Sequence, residues 1–426
     1  MQSGQTKYGI GMTVSACLWL GLFPLMQSGT YATITKDKWT YMLLLTGVTA
    51  VCFLVDLVRR RLSRPRALPL IAGGALLLCM LVSCLASPYP DVDWWIGAGR
   101  REGLASQLCY LSLFFMFSFS RVKRTPVLLA AGCGVTGYLI VALLQRAGGN
   151  PLGLYPANYS FENTPLFQGT IGHVDMGAGY LLILCGLFLP AVIDAARERS
   201  LPLFLPLLAF LGVTLFLIFT IDVRFAVLTA CVFFVWTLVR CLPKKFWLPV
   251  LLLLACAAFA FVWSYTGSVS TLQELHEVLH GNIQLSFGSG RIGIWTYSAK
   301  LLKQTEYLLT GTGVDTFVIR LNSFLKTWFA EHPDAERLIE FFDSPHNEYL
   351  AMLLNCGIPA LVCFAILLLG GCFGRTAWRD GVMCYGIQAL LSFSVCLVAP
   401  MFWVVFGMAW SMPPPKKKEP ADPPVR

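Results

Sequence analysis

The stretch DSPHNEYL, residues 343–350, sets a histidine between a carboxylate and an amide at the head of an apolar run. A neutral imidazole in that position can take a proton from a hydroxyl group. Ser344 as N-cap and Pro345 as first helical residue predict a helix that starts here, with His346 in its first turn. The positive end of such a helix disfavours imidazolium and favours an anionic ligand nearby. Asp343 or Asn347 would orient the ring; in the plainer reading His346 only anchors a helix end at a membrane surface. Several arginines carry matching chemistry. Arg224, in FTIDVRFAVL, lies at the outer end of an apolar run, where a charge requires an anionic partner, either Asp222 or a phosphate. Arg291, in FGSGRIGIW, follows a Gly/Ser turn and opens an amphipathic stretch, a suitable place to offer a guanidinium fork to a diphosphate. Arg100 and Arg101, in GAGRREGL, stand at the N-terminal end of another apolar run.

A second motif, HEVLH at 276–280, matches H-E-x-x-H, which on a helix sets two imidazoles one turn apart beside a glutamate, as in zinc proteases. The motif follows an apolar run instead of lying within one, in STLQELHEVLHGN. His332 and His346 are conceivable third ligands, and nothing ties either to the pair. An exposed helix with two surface histidines is the reading adopted, and no metal site is expected.

The elements that must position these residues follow from composition. Of 426 residues 56% are hydrophobic and 13% charged, with a mean hydropathy of +0.67. A soluble fold of this length cannot bury so much apolar surface, so an all-α polytopic membrane protein is expected. Apolar windows near 10–27, 39–58, 67–86, 104–120, 127–145, 177–194, 202–219, 223–242, 246–264, 347–369, 382–397 and 399–412 suggest about twelve transmembrane helices, the last two short enough to form a re-entrant pair instead. The first run reads as a retained span and not as a cleaved leader. The connections RRRLSRPR, RVKR, RER, RCLPKK, GRTAWR and the tail PPPKKKEP are short and basic, which predicts that they, and both termini, are cytoplasmic. The net charge of +9 is therefore a topology signal, and nucleic acid is not an expected partner. The 15 cysteines lie mostly in apolar runs without a CxxC pair and read as small hydrophobes.

The opposite set of connections holds the longer loops, 87–103, 146–176 and 265–345. The chain thus divides into helices over 1–264, an extracytoplasmic helical subdomain over 265–345, further helices over 346–412, and a disordered tail over 413–426. Helical spacing over 291–303 and 314–330 predicts two amphipathic helices in the large loop. All five histidines, His173, His276, His280, His332 and His346, fall on this outer side. So do arginines outside the positive-inside pattern, among them Arg146, Arg320 and Arg337. A transporter is the alternative from another class, but few ionisable residues lie within the spans.

With these residues in place, the chain resembles the O-antigen ligase and polymerase superfamily of membrane glycosyltransferases. The layout is similar throughout, and SPHNEYLAMLLNCGIPAL (344–361) is similar to the family's H-N-x-x-L segment followed by a glycine turn. GTIGHVDMGAGYL (169–181), GSGRIGIW (288–295) and LLTGTGVDTF (308–317) support the match in order and spacing. The resemblance implies that His346 is catalytic and that Arg224 and Arg291 bind a lipid diphosphate. Val223 stands where the family usually has serine, and His173 and Asp175 stand where it often has asparagines. It also implies an enzyme of the inner membrane that needs no cofactor or metal. Such an enzyme moves a glycan from a polyprenyl diphosphate to a glycan, lipid-linked or protein hydroxyl, with inversion at the anomeric carbon. Arg100, Arg101, Asp343, Asn347 and His173 are the further candidates for binding substrate or orienting the histidine.

Overall fold

The structure, a computed structural model, describes residues 8–156, 168–221, 223–333, 343–374 and 376–412. The terminal run 413–426, expected to be disordered, lies outside the described residues, as do Asp222 and Arg337. Every regular element among the described residues is helical. The first nine helices are α1 (Ile10–Cys17, continued by tighter and wider turns to Leu25), α2 (Ile34–Val58), α3 (Ala67–Leu85), α4 (Leu104–Ser118), α5 (Arg124–Arg146), α6 (Val174–Arg197), α7 (Leu201–Thr220), α8 (Arg224–Val239) and α9 (Trp247–Trp263). They are followed by α10 (Ser270–Leu279), α11 (Arg291–Leu301), α12 (Phe317–Glu331), α13 (Glu348–Cys372), α14 (Arg379–Gln388) and α15 (Ala399–Trp410).

Seven of these, α2, α3, α5, α6, α7, α9 with the turn before it, and α13, are long and apolar enough to cross a membrane. Four shorter apolar helices, α1 with its continuation, α4, α8 and α15, accompany them. The chain is a membrane protein built around α6, whose apolar window is 89% buried, whereas none of the window ending α9 is buried. The sequence suggests twelve spans, and the eleventh window, 382–397, is helical only through Gln388. From there to Val398 the backbone is irregular, and α15 leads away from it, so α14 and α15 form a hairpin with a non-helical tip. Phe393, Val395, Cys396, Leu397 and Val398 in that tip are all buried. Irregular backbone within an apolar stretch survives where protein covers it. Hydrophobicity alone cannot tell such a tip from a span, since both are apolar.

Helix α13 is broken in the middle. Gly357 takes φ +82° and ψ 175°, and Pro359 has no N–H to offer the carbonyl of Asn355. The groups freed by the break find partners elsewhere. The Asn355 carbonyl accepts from Thr312 N (3.1 Å), Gly313 N (3.0 Å) and Ser83 Oγ (2.6 Å). The Leu354 carbonyl accepts from Arg320 Nη1 at 3.0 Å, and Ile358 N donates to the Leu308 carbonyl at 2.8 Å. The segment LLTGTGVDTF is therefore the plug of this break. Above it, α11 and α12 pack around Ile294, Tyr297, Leu301, Phe317 and Leu321 and onto Leu354 of α13. These are the two amphipathic helices expected in the large loop. Arg320, 4% exposed, also bonds the Leu301 carbonyl and Gln304, so its role is structural.

An alanine at Gly357 would be strained by the positive φ and would drive its Cβ into the Leu309 carbonyl. The expected cost is about 3 kcal/mol, read as a lowered unfolding midpoint of the detergent-solubilised protein. Gly74→Ala, with open space around the position, should leave that midpoint unchanged or raise it.

Candidate functional site

The turn before α13 differs from the expected N-terminus. Helix α13 starts at Glu348, and Asn347 is its cap, accepting from Leu350 N at 2.9 Å. Ser344 caps no helix; its Oγ accepts from His346 N at 3.1 Å and closes a turn that holds His346 at φ +47°. Asparagine caps as well as serine does, and Pro345 sits in the turn, its carbonyl accepting from Trp295 Nε1 at 2.9 Å. His346 thus lies just outside the helix in a left-handed conformation that costs about 1–3 kcal/mol at a residue with a Cβ.

The hairpin tip supplies the floor of the site. The Ala389 carbonyl accepts from Glu348 N at 2.9 Å, and the Leu391 carbonyl accepts from Arg291 Nε at 3.2 Å. Two residues further on, Phe393 meets His346 edge to face at 4.8 Å, His173 at 6.0 Å and the Arg100 guanidinium at 4.6 Å. Arg100 Nε also donates to Asp343 at 2.5 Å. Gly290, at φ +80°, caps α11 and puts Arg291 at its first position. Arg291 Nη1 donates to the Gly288 carbonyl at 2.9 Å, and Nη2 lies 3.8 Å from Asp175. His173 caps α6, its Nδ1 accepting from Asp175 N at 3.2 Å. Four segments remote in sequence therefore bring His346, His173, Arg100, Arg291, Asp343 and Asp175 together.

Burial, then the Arg291 guanidinium, push the His346 pKa down to about 4, with Asp175 and Asp343 opposing. The ring is neutral, as expected, but desolvation and not the end of α13 is the leading cause. Its Nδ1 is buried and has no hydrogen-bond partner among the described residues. Neither proposed orienting group bonds the ring: Asn347 caps the helix and Asp343 holds Arg100. Packing on Phe393 orients it instead. Burial also lowers the His173 pKa, against the pull of Asp175.

The structure does not bring the other two candidate arginines to this cluster. Arg224 Nη1 donates to Ser270 Oγ and, at 2.7 Å, to Thr271 Oγ1, both at the start of α10. Arg101 lies over the Trp39 ring at 5.5 Å. The HEVLH motif is indeed on a helix, α10, with its rings folded against the end of α9. His276 Nδ1 contacts the Val262 carbonyl at 3.1 Å, and the His280 ring lies 4.3 Å from Trp263. The Glu277 carboxylate accepts from Asn282 at 2.7 Å.

Sequence reasoning passes over three carboxylates here, Glu102, Asp315 and Glu348, which join the expected Asp343. Glu102, Asp315, Asp343 and Glu348 line one cavity of about 100 Å³ beside Phe393, although the sequence shows no acidic cluster. Among the described residues no three His, Cys, Asp or Glu side chains are grouped to hold a metal ion. Asp315 accepts from Gly99 N at 2.9 Å and Glu102 N at 3.3 Å, folding the loop that carries Arg100. Burial raises its pKa to about 6 despite those N–H groups. Glu102 accepts from Tyr110 Oη at 2.9 Å and Cys396 N at 2.7 Å, tying α4 to the hairpin tip; burial, then Asp315, raise its pKa. Asp315 lies within LLTGTGVDTF and could have been found there; nothing in an apolar run marks Phe393.

An α-helical membrane protein with a neutral histidine and two arginines gathered at one end of its bundle is the class that fold and site define. Residues 207–365 match the family model described as O-Antigen ligase, a segment that contains Arg224, Arg291 and His346. Over that segment the match supports the resemblance to the O-antigen ligase family read from the motifs. No curated protein matches it.

If Phe393 sets the desolvation of His346, then Phe393→Ala lets water in and raises the imidazole pKa from about 4 toward 6.5. Histidine NMR titration of the labelled protein, with His346 assigned by its own deletion, reads the shift. An unmoved titration would assign the desolvation to other walls.

Proposed function

We propose that the protein is a glycosyltransferase that moves a glycan from a polyprenyl diphosphate to an acceptor hydroxyl at the outer face of the cytoplasmic membrane. The observation that carries this reading is a neutral, half-buried imidazole, its Nδ1 buried and unpartnered among the described residues, between Arg291 and Arg100. A base for a sugar hydroxyl has to be neutral, and a diphosphate leaving group requires fixed positive charge close by. All five histidines, and the arginines outside the positive-inside pattern, fall in loops that this rule assigns to the outside, where no nucleotide sugar is at hand. A lipid diphosphate brings its own leaving group.

In this mechanism His346 takes the acceptor's proton as its oxygen attacks the anomeric carbon. The bond from that carbon to the diphosphate oxygen breaks in line, so the configuration inverts. The diphosphate leaves with the bonding electrons; Arg291, beside His346, spreads the charge that grows on it, and Arg224, outside the cluster, is the second cation for the diphosphate. Guanidinium groups do here what a divalent cation does at other diphosphate sites. Arg224 rests on two neutral hydroxyls, and a diphosphate is the stronger partner for its fork. Arg100, Arg101, Asp343, Asn347 and His173 act as binding or positioning groups. The acceptor is a lipid-linked core sugar, a second glycan chain or a protein hydroxyl. These share the chemistry and differ in the acceptor groove.

Cells without the protein should accumulate lipid-linked glycan and lack the conjugate, whose identity reveals the acceptor. His346→Ala at normal protein abundance should reproduce that phenotype, with transfer down about 10²–10⁴-fold. Full transfer by the variant would remove His346 from the chemistry. Arg291→Lys keeps the charge, loses the fork, and should also slow transfer.

The pH dependence follows from the lowered His346 pKa. The free enzyme holds the ring neutral above about pH 4, so kcat/KM should not fall with an inflection near 6.5. An acid limb at that ordinary histidine value would contradict the desolvated base.

A further inference from the structure

The other end of the bundle holds a cavity that the chemistry above does not use. Its volume is about 540 Å³, within the range of small-ligand sites, and its walls carry Arg124, Arg197, Arg240 and Arg379 against only Asp194 and Asp380. Helix α6 runs 24 residues from His173 at the first site to Arg197 here, a separation of about 36 Å. The two carboxylates are already taken. Arg124 Nη1 donates to Asp194 at 2.6 Å, and Arg240 grips Asp380 with two bonds of 2.8 and 3.2 Å. Arg379 approaches the same Asp380 at 3.6 Å. Positive charge is left over: Arg124 Nη2 is buried without a partner, and Arg197 makes no ion pair or hydrogen bond among the described residues. Helices α5, α9 and α14 begin at residues lining the cavity and α6 and α8 end there, so three positive helix ends meet two negative ones. Trp247 lines it as well and meets Trp236 at 5.5 Å, a ring pair of the kind found at the level of lipid headgroups.

The geometry points to a binding site for the phosphate of an anionic membrane lipid, in the leaflet opposite His346. A phosphodiester oxygen would take the free Arg124 nitrogen and the Arg197 fork, while its acyl chains stay beside the tryptophans in the bilayer. The Asp194 and Asp380 pairs hold the remaining guanidinium groups in place and turn away a more highly charged ligand. Every group here is independent of the glycosyl-transfer reading, and the site would stand if that reading fell.

The test uses the full chain in nanodiscs of phosphatidylcholine with or without phosphatidylglycerol, followed by exchange into neutral detergent and mass spectrometry of retained lipid. Wild-type protein should keep phosphatidylglycerol in preference to phosphatidylcholine. Arg197→Ala, at an exposed residue without partners, should retain about tenfold less, the loss of one charge-assisted contact. Arg197→Gln should agree if the alanine variant elutes abnormally. Arg59→Ala, in a basic loop away from the cavity, should retain as much as wild type. Equal retention of both lipids, or equal loss in the Arg59 and Arg197 variants, would mean diffuse attraction to basic loops and overturn the site. Displacement of the lipid by inorganic phosphate alone would assign the cavity to a free anion and overturn the lipid as occupant.

Discussion

The interruption of α13 at Gly357 and Pro359 is the constraint on which the rest of the outer architecture depends. A helix that stops bonding to itself inside an apolar bundle leaves carbonyl and N–H groups that lipid cannot satisfy. Here the segment 308–313, Ser83 and Arg320 meet those of Leu354, Asn355 and Ile358. Each partner comes from a different part of the chain, so one broken turn fastens the outer helices to α3 and α13 at once. Arg320 bridges the end of α11 to the break, which accounts for a buried guanidinium that makes no ion pair among the described residues.

The same economy governs the functional cluster. Main-chain carbonyls at the hairpin tip hold Glu348 N and Arg291, and one aromatic ring there touches both histidines and Arg100. Because carbonyls and a phenyl ring carry no net charge, they position arginine without cancelling its field. Asp343 and Asp175 take some of that field away, and the lowered His346 pKa shows that burial and Arg291 outweigh them.

Much of this was legible from residue types. The apolar windows, the two amphipathic helices in the large loop, and the arginine opening α11 all follow from local periodicity and turn chemistry. His346 stood out because a histidine at the head of an apolar run has few structural reasons to be there. What stayed hidden depends on contacts between distant segments. The tip at 389–398 reads as a span because burial by protein and burial by lipid select the same side chains. The cap at Asn347 was misassigned to Ser344 because both residues cap equally well, and only the pairing of Glu348 N with Ala389 decides between them. Arg224 and Arg291 look alike in sequence, yet one is bound by hydroxyls of α10 and the other by the hairpin. Glu102 and Asp315 belong to loops more than two hundred residues apart, and no local pattern could join them.

The order in which these pieces leave the ribosome gives the hairpin tip a further meaning. The segment that plugs α13 precedes it in the chain, so it has been made before the broken helix emerges. The floor beneath His346 follows the opposite schedule: Ala389, Leu391 and Phe393 are made after every other part of the cluster. A chain stalled before that point has its histidine without the ring that desolvates it. Biosynthesis thus completes the cluster only when the hairpin has been made.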